Sequence, residues 1–313
     1  MRKLAVLHSQ YKVWVPALQR AEPRLDIRGW HPEDRDLDHP WLSDCEALFA
    51  WKVPMGLLGH MPGLRWIQNS GAGVDHLVNH PELPPDVLIT RADGHFGVPM
   101  ARYVAAHFLW DTQALAACRE AQEQCRWEGR LMAEDLGGAR ALILGFGRIG
   151  RRIGEVLRLL GMEVTGFVRQ PRQDPDFALF GAQDLPSHLP KARLLVVVAP
   201  LTSETRGIVD RHLLAHGHGH LTLINIGRGE QVVVPDLLEA LDQRRLGRAV
   251  LDVLPQEPLP PDSPLWKHPK VTLTPHHAGP STPEAVIPDI LPNLQTYAEG
   301  RTIQGAVDRS LGY

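Results

Sequence analysis

The sequence predicts an α/β protein built as two parallel-sheet units, and three observations carry that prediction. Short apolar runs of strand length alternate with helix-length segments in two separate series along the chain. One apolar run, Ala141-Leu142-Ile143-Leu144, leads directly into Gly145-Phe146-Gly147-Arg148-Ile149-Gly150, a glycine loop that opens a helix-like stretch. At 313 residues the chain is long for one domain and ordinary for two.

The first series begins at residues 4–7, an apolar run that reads as a buried strand. A helix over 15–21 follows, then strands at 47–51, 64–68 and 88–91, with Pro84-Pro85 and Asp93-Gly94-His95 as loops. Residues 100–127 contain neither Gly nor Pro, and Val104, Phe108 and Leu109 fall at helical spacing, which predicts one or two long helices. The second series has a strand at 140–144, a helix at 148–160 and a strand at 163–168. Further strands are expected at 194–198, 221–224, 249–253 and 271–274. The segment 283–299 reads as a helix that Pro288 and Pro292 should kink or interrupt. The second series lies inside the first, so the expected domains are a discontinuous one, residues 1–97 with 283–313, and a continuous one, residues 98–282.

Composition excludes several classes. Hydrophobic residues at 43% and charged residues at 22% are ordinary for a globular protein. A net charge of −3 with no long run of either sign argues against a nucleic-acid surface and against a polybasic membrane patch. The apolar run after Met1-Arg2-Lys3 is too short for a signal peptide, and no run reaches membrane-span length, so the expected location is cytoplasmic. Cys45, Cys118 and Cys125 form no CxxC and read as reduced thiols. His212, His216, His218 and His220 make a dense tract, but it lies in a loop before the 221–224 strand and no metal is expected there.

Gly145, Gly147 and Gly150 permit a tight turn and close backbone approach, so a pyrophosphate can rest on the helix N-terminus with Arg148 and Ile149. The following strand should end in the residue that meets the adenosine ribose. It offers Arg169 and Arg172, with no acid before Asp174. Two guanidiniums suit a 2′-phosphate, so NADPH is favoured and NADH remains possible. Downstream, Arg228 lies in Asn225-Ile226-Gly227-Arg228-Gly229, Glu257 in Gln256-Glu257-Pro258-Leu259-Pro260, and His276 in Thr274-Pro275-His276. These types match what reduction of a keto acid needs: a planar cation for the carboxylate, an anion, and an imidazole that the anion keeps protonated. Taken singly, each also fits a solvated surface side chain, since the chain has 16 histidines.

Several stretches carry a resemblance to one family. They are Ser70-Gly71-Ala72-Gly73-Val74-Asp75, the Gly145 loop, Ala199-Pro200-Leu201-Thr202-Ser203-Glu204-Thr205 and Asn225-Ile226-Gly227-Arg228-Gly229. Leu251-Asp252-Val253, Glu257-Pro258-Leu259-Pro260, Thr274-Pro275-His276 and the terminal Gly312-Tyr313 complete the set. In that order the chain resembles the D-isomer-specific 2-hydroxyacid dehydrogenases, and within them the glyoxylate/hydroxypyruvate reductase A group. The resemblance implies two Rossmann-like doubly wound parallel-sheet domains with an interdomain active-site cleft, usually in a homodimer. It implies that Arg228 binds the substrate carboxylate, His276 is the acid/base and Glu257 its partner. Backbone amides at Ala72 and Gly73 would grip the carboxylate, and Trp51 with Lys52 would line the pocket, a packed core Trp being the competing reading. Asp252 would meet the nicotinamide carboxamide. Pro200, Thr205 and Ile226 would join the glycine loop around the cofactor. Arg102 stands where the family commonly has Glu, and His277 where an apolar residue is usual. Trp127, in the presumed dimer segment, either reaches a partner or packs. A reductase of larger 2-keto acids (phenylpyruvate- or ketogluconate-like) and a nucleotide-sensing binding protein are the alternatives on the same fold.

Overall fold

The structure, a computed structural model, describes residues 1–34 and 40–312, so Tyr313 of the terminal motif lies outside the described residues. The chain divides into two compact units, Met1–His95 with Pro280–Tyr313, and Phe96–Gly279. The divisions thus fall at 95/96 and 279/280, against the expected 97/98 and 282/283.

The first unit contains β1 (Arg2–Leu7), β2 (Leu25–Trp30), β3 (Ala47–Ala50), β4 (Trp66–Asn69) and β5 (Leu88–Thr90). They pair in parallel in the order β2-β1-β3-β4-β5, a doubly wound arrangement. Strand β2 goes unannounced in the sequence for a physical reason. It is an edge strand, so Asp26 and Arg28 break the apolar run that marks β1 and β3, which are covered on both faces. The first helix starts at Tyr11, earlier than the expected 15, and contains Pro16. The helix Pro283–Ala298 runs through Pro288 and Pro292 without interruption, contrary to expectation. Its Val286, Ile290, Leu294 and Tyr297 are buried at helical spacing. Four such side chains, at about 1.5–3 kcal/mol each, meet or exceed the roughly 3 kcal/mol that each internal proline costs. Tyr297 also donates to the Lys3 carbonyl (2.8 Å), and Asn293 to Gln68 (3.0 Å).

The second unit contains β6 (Arg140–Leu144), β7 (Glu163–Val168), β8 (Ala178–Gly181), β9 (Ala192–Val197), β10 (Thr222–Asn225), β11 (Arg248–Leu251) and β12 (Val271–Leu273). Their order is β12-β11-β10-β9-β6-β7-β8, parallel throughout. Counted from β6 this is 3-2-1-4-5-6 with a seventh strand added, the dinucleotide-binding arrangement, and its winding reverses between β6 and β9. The central strands β9 and β10 are buried on both faces, which explains why they read as unbroken apolar runs. Edge strand β8 is short and flanked by polar loops, and the sequence did not announce it. The stretch without Gly or Pro falls in two helices, Gly97–Thr112, which starts three residues before it, and Leu115–Glu123, broken at Ala114, whose φ of 53° is left-handed. Among the described residues no helix is long and apolar enough to cross a membrane.

Candidate active site

The carboxyl ends of the seven-stranded sheet collect most of the residues singled out above. After β6 the chain turns at Gly145 with φ of 100°, where a Cβ would lie 2.4 Å from the Ala199 nitrogen. A Cβ on Gly150 would lie 2.1 Å from the Gly145 carbonyl oxygen, so only glycine lets the helix Arg148–Leu159 start this close to the loop. Gly147 differs: a Cβ there would meet no atom within 4 Å. Two glycines therefore serve packing, while the middle one leaves an open face at a helix N-terminus that Arg148 and Ile149 begin. This is the division of labour a dinucleotide pyrophosphate requires, and the residues present fit it.

Around this loop, Thr205 folds its own segment: its hydroxyl donates to the Pro200 carbonyl (2.7 Å) and accepts from the Thr202 amide (2.8 Å). Ile226 is buried and its amide donates to the Val197 carbonyl (3.0 Å), tying the turn after β10 to β9. Beyond β7, Arg169 makes two contacts of 3.1 Å with the Glu204 carboxylate. Arg172 instead donates to the Phe146 carbonyl of the glycine loop (3.0 Å). Asp174, the next acid in sequence, is committed to the helix Arg148–Leu159 and to its own loop. It accepts from Arg151 at 2.6 Å and from the Asp176 and Phe177 amides, and the Asp176 amide leads the contacts that hold its carboxyl below the usual range.

The three residues of the expected reacting set follow adjacent strands: Arg228 after β10, Glu257 after β11, His276 after β12. His276 Nδ1 lies 2.9 Å from Glu257 Oε2. Glu257 Oε1 in turn accepts from the Leu254 amide (2.9 Å), which anchors the carboxylate in its own loop. Gly229, next to Arg228, packs against that same loop: a Cβ there would lie 1.9 Å from the Leu254 carbonyl carbon. A larger residue after Arg228 would thus push the Arg228 turn off the segment that holds Glu257. Arg228 is half-buried, and its backbone is held from both sides: its carbonyl accepts from Asn225 (2.8 Å) and its amide donates to Gln231 (2.8 Å). Gln231, fully buried, also donates to the Ala199 carbonyl (3.1 Å), so one side chain laces the Arg228 turn to the loop after β9.

His276 adopts φ of 52°, a conformation that costs a non-glycine residue energy and needs support. Asp252 supplies it. The His276 amide donates to the Asp252 carbonyl (2.9 Å), and the His277 and Ala278 amides donate to the Asp252 carboxylate (2.9 Å each). Thr274 adds its hydroxyl at 2.6 Å and lies 2.7 Å from the Tyr103 hydroxyl of the helix Gly97–Thr112. Asp252 is 2% exposed. A carboxylate has about four acceptor positions, three of which are taken here, so the expected carboxamide contact has one position left to use. Sequence reasoning gave no role to Gln231, Thr274 or Tyr103. Gln231 sits three residues beyond Arg228 and was within reach of a spacing argument, whereas Tyr103 is joined only by tertiary folding. His277 is exposed and meets Tyr103 edge-on, with ring centroids 5.8 Å apart.

In the other unit, β4 ends in Asn69, whose side chain donates to the carbonyls of Gly71 (2.9 Å) and Gly73 (2.8 Å). This pins the turn that carries Ala72 and Gly73. Trp51, after β3, lies against Gly71, so close that a Cβ there would fall 2.2 Å from the indole. The Trp51 ring also packs on His76 at 4.7 Å, and His76 Nε2 contacts the Trp51 carbonyl. Trp51 is thus packed on one face yet only half-buried, and Lys52 is exposed. Arg102 and Trp127 are exposed too, Trp127 almost completely. His218 and His220 lie near each other, with ring centroids 6.2 Å apart, and among the described residues no group of three or more His, Cys, Asp or Glu could hold a metal ion.

Two doubly wound units, one with a dinucleotide glycine loop and a paired imidazole on the same sheet edge, define a nucleotide-dependent oxidoreductase. Residues 106–278 match the family model described as D-isomer specific 2-hydroxyacid dehydrogenase, NAD binding domain. The chain is 32% identical over 307 residues to the glyoxylate/hydroxypyruvate reductase A of Serratia proteamaculans, covering 96% of each. A D-isomer specific 2-hydroxyacid dehydrogenase from Xanthobacter autotrophicus Py2, solved with NADPH and MES, superposes with a TM-score of 0.88 at 32% identity, covering 100% of both chains. An NADPH-dependent glyoxylate/hydroxypyruvate reductase from Sinorhizobium meliloti, solved with NADP and sulfate, does so with a TM-score of 0.90 at 29% identity, again covering 100% of both. The chain belongs to the D-isomer specific 2-hydroxyacid dehydrogenase family.

Proposed function

We propose that the protein reduces a small 2-keto acid, glyoxylate or hydroxypyruvate, to the D-2-hydroxy acid with a nicotinamide cofactor, NADPH being favoured. The observation that carries this reading is the 2.9 Å pairing of His276 with Glu257 on the sheet edge that also bears the glycine loop. The bound cofactor supplies a hydride for the carbonyl carbon. The chain supplies the rest. Glu257 engages Nδ1 of His276 and fixes the orientation of the ring, and Nε2 delivers the proton to the carbonyl oxygen as the C–O double bond opens. Arg228, whose fork suits a carboxylate, holds the acid end and polarises the carbonyl. The Ala72–Gly73 turn offers backbone donors to a carboxylate, and Trp51 borders that turn. Gly145, Gly147, Arg148, Ile149 and Gly150 hold the pyrophosphate, Pro200, Thr205 and Ile226 flank it, and Arg169 and Arg172 serve the adenosine end. Asp252 holds the His276 turn and has one acceptor position for the carboxamide. On this reading residues 98–282 take the nucleotide and residues 1–97 with 283–313 take the substrate. The working form is a cytoplasmic homodimer, which rests on the family resemblance.

Initial rates with NADPH and NADH against glyoxylate, hydroxypyruvate, pyruvate and phenylpyruvate test the reading. The expected result is turnover of glyoxylate and hydroxypyruvate, faster with NADPH. No turnover of any keto acid would overturn the enzyme assignment, and a clear NADH preference would overturn the cofactor assignment.

A further inference from the structure

We propose that Glu204 sets the preference of this protein between 2′-phosphorylated and unphosphorylated nucleotides, by standing in for the 2′-phosphate on Arg169. The inference rests on the nicotinamide-cofactor reading above and assigns a residue which that reading leaves without a role. Arg169 Nε lies 3.1 Å from Glu204 Oε2, and Nη2 donates to Oε1 at 3.1 Å. Two parallel contacts of this kind use the flat edge of a guanidinium. That same edge takes a phosphate monoester, so carboxylate and phosphate compete for one set of donors.

The pair is also in the right place. Arg169 directly follows β7 and Glu204 lies in the loop after β9. These strands flank β6, so the pair bridges the loops on either side of the glycine loop, at the point where the sheet reverses its winding. Nucleotides enter such sheets at that point. The side chains are 42% and 57% exposed, so the bridge is weakly held and readily exchanged. Of the other groups nearby, Arg172 makes one bond to the Phe146 carbonyl and has no paired carboxylate among the described residues, and Asp174 is committed to Arg151 and to two amides.

Two consequences follow from the charges. When a 2′-phosphate takes the Arg169 fork, Glu204 is left beside a dianion and opposes it. When the ribose carries a 2′-hydroxyl, the same carboxylate is an acceptor for it, the task that an acid at the end of the strand corresponding to β7 performs in NAD-type sites. Glu204 therefore lowers discrimination in favour of the phosphorylated nucleotide.

Calorimetric titration of the full-length protein with adenosine 2′,5′-bisphosphate and with adenosine 5′-monophosphate reads this directly, because the probes differ only in the 2′-phosphate. The wild type is expected to bind the bisphosphate more tightly. Glu204→Gln should raise the ratio of the two affinities about three- to tenfold, the range set by losing one exposed ion pair together with a like-charge contact. Arg169→Ala should collapse the ratio, and adding Glu204→Gln to Arg169→Ala should then raise it by clearly less than in the wild type, because the competition for the guanidinium is gone and only the direct charge and hydroxyl contacts remain. A wild type without bisphosphate preference would overturn the NADPH reading and this proposal together. A wild-type preference that Arg169→Ala removes but Glu204→Gln leaves untouched would overturn the Glu204 assignment alone. An equal gain in both backgrounds would reduce Glu204 to a general surface charge and overturn it likewise.

Discussion

The carboxyl edges of the two parallel, doubly wound sheets do opposite things. On the seven-stranded sheet, loops after β10, β11 and β12 present side chains: a guanidinium, a carboxylate and an imidazole, the last two paired at 2.9 Å. On the five-stranded sheet, the loop after β4 presents backbone, with Asn69 pinning the Gly71 and Gly73 carbonyls and Trp51 lying on Gly71. The first edge uses buried polar side chains such as Asp252 and Gln231 to fix the turns that carry the groups proposed to react. The second uses one buried Asn to fix a peptide turn. If the comparison holds, substitutions on the first edge lower kcat and those on the second mainly raise KM.

The largest expected effect is at His276. Replacing it by Gln removes the proposed proton donor and should lower kcat by about 10²–10⁴-fold, with a much smaller change in KM. Steady-state kinetics with glyoxylate and NADPH would check this, and a kcat within tenfold of wild type would end the assignment of His276 as acid. Next comes Asp252→Asn. The amide nitrogen must face one of the three donors that now meet the carboxylate, leaving a buried conflict of about 1–3 kcal/mol. Because these donors hold the strained His276 turn, kcat should fall about 10–100-fold while NADPH affinity, measured by fluorescence titration, changes less. An affinity loss that matches the loss in kcat would instead give the carboxylate's fourth position the larger role. Arg228→Lys replaces a fork with a point charge and should cost about tenfold in kcat/KM, through both constants. A silent Arg228→Lys would remove the side-chain character of the first edge.

The same contrast decides how much can be read from the sequence. Arg228, Glu257 and His276 are chemically conspicuous, and each follows an apolar run that marks a parallel strand, so the amino-acid order alone locates their loops. The Gly145 loop is legible because its strand-loop-helix context is local. What escapes such reading is tertiary. Strands β2 and β8 lie at sheet edges, where polar side chains interrupt the apolar signal. The helix Pro283–Ala298 overrides two prolines because four buried side chains hold it, and burial is not visible in local propensity. Tyr103 reaches Thr274 across 171 positions in sequence, and the Arg169–Glu204 pair spans 35. The Ala72–Gly73 turn is proposed to act through main chain, so it is legible only by resemblance to a motif.

The smallest expected effect lies on that second edge and tests the comparison from its weaker side. A Cβ added at Gly71 would fall 2.2 Å from Cζ3 and 2.8 Å from Cε3 of Trp51, so Gly71→Ala must displace the indole. The ring is also held by His76, and overpacking of this kind costs about 1–3 kcal/mol. The displaced ring borders the Ala72–Gly73 turn, so KM for the keto acid should rise about three- to tenfold while kcat changes less than about threefold. Shortening the obstructing ring should relieve the strain: Trp51→Leu in the Gly71→Ala background is expected to recover most of the lost thermal stability, a non-additivity that contact between the two residues requires. Differential scanning calorimetry and substrate titrations together separate the outcomes. Recovered stability with KM still raised would mean that Trp51 itself contributes to the substrate end of the site. A collapse of kcat comparable to that of His276→Gln would instead mean that the peptide turn takes part in the chemistry, and the division between an edge that reacts and an edge that binds would be lost.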